Sequence, residues 1–190
     1  MFDVTEYEVF NSRKSTLKNL SKDDSNLNDV VYMTESSLEA IDFDKVKTAY
    51  INCLGLSEEK AKSFDALAFM GDGGVFIEFK NGNMKNEKQS VKIKIRDSLL
   101  IFCDIVKCHI SDTRENFSFI LVYNKEKNSN SHDSTSRTAI SNHLMNQANM
   151  EIVRFGLEKF QDLYFKEVHT YNEEEFEEYL KLNFPSAITV

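Results

Sequence analysis

Cysteine occurs three times, as Cys53, Cys103 and Cys108. That is too few, and odd in number, for a disulfide scaffold. Nowhere does the chain approach the ~18 consecutive apolar residues of a membrane-spanning helix. The opening residues, Met1-Phe2-Asp3-Val4-Thr5-Glu6, are acidic and lack the basic, apolar and small-residue zones of a signal peptide. Positive charge is also scarce. Twenty-three Lys and Arg face 31 Asp and Glu, giving a net charge of −8. Clamping a phosphate backbone alone usually needs a basic balance, so a simple nucleic-acid binder is disfavoured. The four histidines (His109, His132, His143, His169) show no zinc-type spacing to one another or to cysteine. No Gly-Lys-Ser/Thr follows the glycine-rich stretch, and Ser98, Ser118 and Ser141 lack a nucleophile-elbow context. These absences leave a soluble chain in a reducing, cytoplasmic compartment as the expectation.

What is present is enough for a packed core. The chain has 190 residues, of which 41% are hydrophobic, with 15 Phe and 7 Tyr. That suits one domain and excludes a disordered chain. Charge is unevenly spread. Lys80 to Arg96 carries six basic residues against Glu87 alone, whereas Glu167 to Glu178 carries six glutamates and no Lys or Arg. Residues 1–34 read as an N-terminal arm or cap, and residues 35–190 as a single α/β domain. Within the latter, apolar spacing predicts a helix from Ser36 to about Leu54 and a short turn at Ser57 to Ser63. Strands are predicted at Phe64 to Met70 and Val75 to Lys80, joined through Gly71-Asp72-Gly73-Gly74. An amphipathic helix at about 88–106, a strand buried on both faces at Phe117 to Tyr123 and a loop at Asn124 to Thr138 follow. The spacing then predicts a long helix at 139–162 and a strand at Tyr164 to His169. Last comes a helix opened by the capping-box pair Asn172 and Glu175 and ending before Pro185. The order is α-β-β-α-β-α-β-α, a mixed α/β fold without internal repeats.

Chemistry concentrates on the predicted hairpin. With a four-residue loop, Met70 opposes Val75, Leu67 opposes Glu78 and Asp65 opposes Lys80. Directly opposed residues share a face, so Asp65, Glu78 and Lys80 converge. Two carboxylates and an ammonium on one patch of sheet are costly unless compensated. A hard divalent cation such as Mg²⁺ satisfies both acids while keeping waters of its own. Lys80 is then placed to orient or deprotonate a water, or to stabilise charge at a phosphorus centre. The plainer alternative is a solvated sheet face with a Lys80–Asp65 ion pair, which contributes little to stability.

Asp65, twelve residues, and then Glu78-Phe79-Lys80 closing an apolar strand resembles the PD-(D/E)xK nuclease superfamily, the restriction-endonuclease-like fold. The resemblance covers about the central half of the chain. Phe64 stands where the proline of the family's name would be. The resemblance implies metal ligation by Asp65, Glu78 and the carbonyl of Phe79, with Mg²⁺ or Mn²⁺ as cofactor and Lys80 as the catalytic lysine. It also implies a polar residue from the next helix, with Gln89, Lys92 and Lys94 as candidates, and an acid from the first helix, where Glu35 or Glu39 could serve. Lys85, Lys88, Lys92 and Lys94 are the candidate nucleic-acid contacts. Their alternative is the solvated face of an amphipathic helix.

The function implied is metal-dependent phosphodiester hydrolysis, on DNA in preference to RNA. No helix-turn-helix or zinc-finger reading module is legible, so sequence specificity requires a partner or a homodimer. The other function class consistent with net charge −8 is a catalytically inactive, nuclease-fold acidic interaction protein. Such an immunity or defence-system component would use the Glu-rich end to hold a basic protein partner. Abundant Asn, Lys and Ile with a single proline suggests a bacterial or phage source.

Overall fold

The computed structural model describes residues 7–26, 29–70, 73–128 and 153–184. Its centre is a six-stranded mixed sheet in the order β1-β4-β5-β6-β7-β8. The strands are β1 (Lys14–Thr16), β4 (Glu39–Asp42), β5 (Ala66–Met70), β6 (Gly73–Lys80), β7 (Phe117–Tyr123) and β8 (Glu167–Asn172). Strands β1 to β6 pair antiparallel, whereas β6, β7 and β8 run parallel. A parallel neighbour needs a crossover. Helices α4 (Met84–Val106) and α5 (Ile110–Asn116) supply the one between β6 and β7. A small hairpin of β2 (Lys22–Asp23) and β3 (Val31–Tyr32) stands beside the sheet.

Strand alternation sends side chains into two cores. Leu67, Phe76 and Phe119 face α4, where Val91, Ile95, Leu99 and Phe102 form its buried stripe. Ala66, Ala68, Ile77 and Phe79 face the opposite way, onto Leu17 of α2 (Leu17–Leu20) and onto Phe176 and Leu180 of α7 (Glu173–Asn183). The strand β7 is covered on both sides, as a run apolar at every position but Ser118 predicts. The described part of the N-terminal segment contributes β1 to the sheet edge and Leu17 to the core. None of the described helices is long and apolar enough to cross a membrane.

Several elements differ from expectation for local physical reasons. The helix expected from Ser36 is split. Residues 39–42 are strand β4, with Ala40 and Ile41 both buried, and α3 (Phe43–Cys53) begins only where the Asp42 carboxylate accepts the Lys45 N–H. The last strand lies three residues later than expected, at Glu167–Asn172. It runs directly into α7, whose capping box of Asn172 and Glu175 is formed as expected. Of the long helix expected at 139–162, residues 139–152 lie outside the described residues. The remainder is not α-helical: Glu158–Phe160 is a 3₁₀ turn, and Phe155 and Asp162 have positive φ.

The β6–β7 seam places a strict demand on Gly73. A Cβ there would lie 2.1 Å from the carbonyl oxygen of Asn116. Gly73→Ala is therefore expected to lower stability by about 2 kcal/mol or more, roughly 4–8 °C in Tm. Gly82→Ala is the control, since its Cβ would meet only the Glu87 side chain at an ordinary 3.8 Å. Thermal melts showing equal losses for both would contradict this account of the seam.

Candidate active site

The β5–β6 register sets the geometry. Met70 pairs with Gly73, Leu67 with Phe76 and Ala66 with Ile77, leaving residues 71 and 72 between the strands. The expected pairing is thus displaced by two residues. An even displacement keeps every side chain on its expected face. Continuing the register brings Asp65 level with Glu78 rather than with Lys80. Asp65 Oδ2 accepts the Phe79 N–H at 2.6 Å, which ties the acid to the Glu-Phe-Lys strand. Upstream, the Phe64 N–H donates to the buried hydroxyl of Ser98 on α4 at 2.8 Å, anchoring the residue next to Asp65.

Asp65, Glu78 and Lys80 lie on the α4 side of the sheet, and α4 sends a fourth charge among them. Lys94 Nζ stands 2.7 Å from Glu78 Oε1, 2.9 Å from Oε2 and 3.1 Å from Asp65 Oδ1. Lys80 Nζ lies 3.1 Å from Glu78 Oε1 and 3.4 Å from Glu87 Oε2. The Glu78 side chain is 0% exposed, while Asp65 is 17%, Lys94 15% and Lys80 18% exposed. The group is therefore no solvated surface pair. Although two ammonium groups stand close to Glu78 Oε1, that buried oxygen accepts no hydrogen bond of good geometry.

Burial dominates the electrostatics. It pushes the Glu78 carboxyl up to about 7, helped by repulsion from Asp65 and opposed by Lys94 and Lys80. Asp65 is raised as well, by burial first, against the pull of Lys94 and the Phe79 N–H. For Lys94, burial favours the neutral form but is outweighed by Glu78 and Asp65 together, so its pKa rises above the usual lysine value. Lys94 is held as an ammonium.

Asp44, in the first turn of α3, is an acid that the sequence reading missed. It acts electrostatically on both Asp65 and Lys94 and accepts a short hydrogen bond from Ser63 Oγ. The expected first-helix acids lie elsewhere. Glu35 pairs with Lys18 and Glu39 with Lys14, both on the exposed surface. Gln89 and Lys85 are exposed on α4. Lys92 is half-buried, and its pKa is lowered by burial and then by the nearby Lys159 and Lys88. Of the four lysines read as nucleic-acid contacts, Lys94 is thus the one placed on the carboxylates. Two thiols at the end of α4 are held protonated: burial raises Cys103, and burial followed by Cys103 pushes Cys108 up to about 12.

A cleft of about 620 Å³ opens beside Asp65, lined among others by Arg13, Lys22, Asp44, Lys45 and Asn52. Its wall mixes both signs of charge and gives Asp65 a route to solvent-borne ligands. Among the described residues no three acidic, histidine or cysteine side chains form a ready metal cluster. The available donor set is smaller. Oxygens of Asp65 and Glu78 converge on one point, now taken by an ammonium, and one of them lacks a well-formed hydrogen bond. In an extended strand a residue's N–H and C=O leave by the same edge, so the Phe79 carbonyl projects to the Asp65 side. Two carboxylates and a carbonyl, completed by water, suit a hard cation such as Mg²⁺. No protein-family model matches this chain, and no curated protein or solved structure matches it.

Proposed function

We propose that this protein is a Mg²⁺- or Mn²⁺-dependent nuclease of the PD-(D/E)xK type, acting on DNA in preference to RNA. The observation that carries the reading is the convergence of Asp65, Glu78 and Lys80 on one enclosed patch beside an open cleft. The run of α3, β5, β6, α4 and β7, with both acids on the central hairpin, supports a restriction-endonuclease-like core.

Asp65, Glu78 and the Phe79 carbonyl would hold the ion. Bound there, it would supply Lewis acidity for a water nucleophile and positive charge for the phosphate. The chain's own groups do the rest. Lys80 is steadied by Glu78 and Glu87 and keeps 18% of its side chain exposed. It orients the attacking water and offsets negative charge as it builds on the phosphoryl oxygens. The water oxygen bonds to phosphorus as the bond to the leaving sugar oxygen breaks. The water gives up one proton and the leaving oxygen takes one. Asp44 adds negative potential beside Asp65, which favours a cation at this end of the cleft.

The alternative reading as an acidic interaction protein draws on the glutamates of α7. Most of these are engaged within the chain: Glu173 and Glu174 bond Lys125, Glu175 caps its own helix and Glu177 bonds Thr34. Nicking of supercoiled plasmid in Mg²⁺ and in Mn²⁺ separates the two. Wild type is expected to nick, and Glu78→Ala and Lys80→Ala to abolish nicking. No cleavage in either metal, with no metal-induced rise in Tm, would demote the carboxylates to structure and leave the interaction reading.

A further inference from the structure

We infer that Lys94 is a built-in counter-cation that holds the place of the divalent ion and yields it when a nucleic-acid phosphate arrives. The inference rests on the nuclease reading above and adds to it a substrate-dependent control of metal binding.

The charge balance is the starting point. The carboxyls of Asp65 and Glu78 face two ammonium groups, Lys80 and Lys94, with Glu87 and Asp44 as the neighbouring acids. The two lysines are not equivalent. Lys80 reaches Glu78 and Glu87. Lys94 alone bridges Glu78 and Asp65, at 2.7 and 3.1 Å, and so stands on the point where their oxygens converge. Its sequence position agrees. Val91, Ile95 and Ser98 are buried on α4, and Lys94 sits on the same stripe, aimed into the protein rather than toward solvent.

A divalent ion and the Lys94 ammonium cannot share that point. Adding the ion with Lys94 in place would set a divalent charge directly against an ammonium inside a largely enclosed patch. At separations of a few ångströms in a poorly hydrated setting, that repulsion is severe. Lys94 must therefore withdraw its tip while its helix stays docked, which a flexible four-carbon stem allows. Asp65, the residue it holds, lines the cleft, so the displaced ammonium emerges next to the space that a substrate would fill. The other acids lining the cleft already have partners, Asp24 in Lys22, Asp42 in Lys45 and Asp44 in Ser63, so an ammonium leaving two carboxylates lacks a free anion to meet. A phosphodiester in the cleft supplies the missing partner.

Metal and nucleic acid are then coupled, each tightening the other by the same factor. Free Mn²⁺ measured by electron paramagnetic resonance tests this, with a phosphorothioate-linked oligothymidylate as the anion. For wild type, the oligonucleotide is expected to tighten Mn²⁺ binding by roughly tenfold or more. Lys94→Met is expected to bind Mn²⁺ about tenfold tighter than wild type without the oligonucleotide, and to respond little when it is added. Lys94→Gln serves in its place if the methionine variant does not fold, and the wild-type titration needs no variant at all. The inference is overturned if Asp65→Asn abolishes Mn²⁺ binding but neither the oligonucleotide nor the loss of Lys94 strengthens it; the metal site then stands without this control. Absence of any Asp65-dependent Mn²⁺ binding, with or without the oligonucleotide, overturns the inference and the nuclease reading together.

Discussion

Glu78→Gln is expected to lower plasmid nicking in Mg²⁺ by roughly 10³-fold while leaving a folded protein, the scale on which single charge-stabilising groups act. Glutamine keeps the shape of the side chain, so the fully buried site is neither emptied nor overfilled. What it removes is one of the two negative charges on which Lys80 and Lys94 converge, and with it most of the attraction for a divalent ion. Circular dichroism and a urea melt establish that the fold is intact. Nicking by a folded Glu78→Gln protein at more than about a tenth of the wild-type rate would remove Glu78 from the chemistry.

The same residue governs an unusual response of stability to pH. In the folded protein the Glu78 carboxyl titrates at about 7, against an ordinary value of 4.5. Between those values the folded protein keeps this proton while the unfolded chain has released it. Glu78 therefore contributes stability that is fully present below about pH 4.5 and is lost as pH rises through about 7. The loss amounts to about 3 kcal/mol, the free-energy equivalent of that interval. Urea denaturation in the presence of EDTA at pH 5 and pH 8, for wild type and Glu78→Gln, isolates the contribution. Wild type is expected to lose stability relative to the variant on going to pH 8. Parallel changes in the two proteins would show that Glu78 is not a buried acid of this kind. The upward shift of Lys94 acts only above the ordinary lysine value of 10.5, outside this range.

The central hairpin was legible in the sequence because glycines punctuate it and because strand side chains alternate. Those two facts put Asp65, Glu78 and Lys80 on one face. The loop length was read two residues too long, yet the shift is even and the face survived it. A one-residue error would have sent Asp65 to the other core. Lys94 stands in the sequence reading both among the three polar candidates from the next helix, beside Gln89 and Lys92, and among the phosphate contacts, with nothing there to single it out. The distinguishing signal is its place between Val91, Ile95 and Ser98, on the stripe that has to be buried. Asp44 was missed for a different reason. Apolar spacing alone starts that helix at Ser36, which points to Glu35 and Glu39 as its acids. Asp42 capping Lys45 moves the helix start to Phe43 and puts Asp44 in its first turn. Capping chemistry, more than apolar period, was the better guide there.

The parallel pairing of β6 with β7 also bears on how the chain assembles. The two acids are thirteen residues apart and come level as soon as the short hairpin zips, a local event. Lys94 reaches them only after twenty-three residues of α4 have formed and packed across the sheet, the step that the β6–β7 ladder also awaits. Until then the hairpin holds two like charges side by side with Lys80 as the nearby cation. Docking of the crossover helix thus brings Lys94 to the two acids in the same step that brings β7 to the edge of β6, which ties the partial offset of their buried charge to the closure of the sheet.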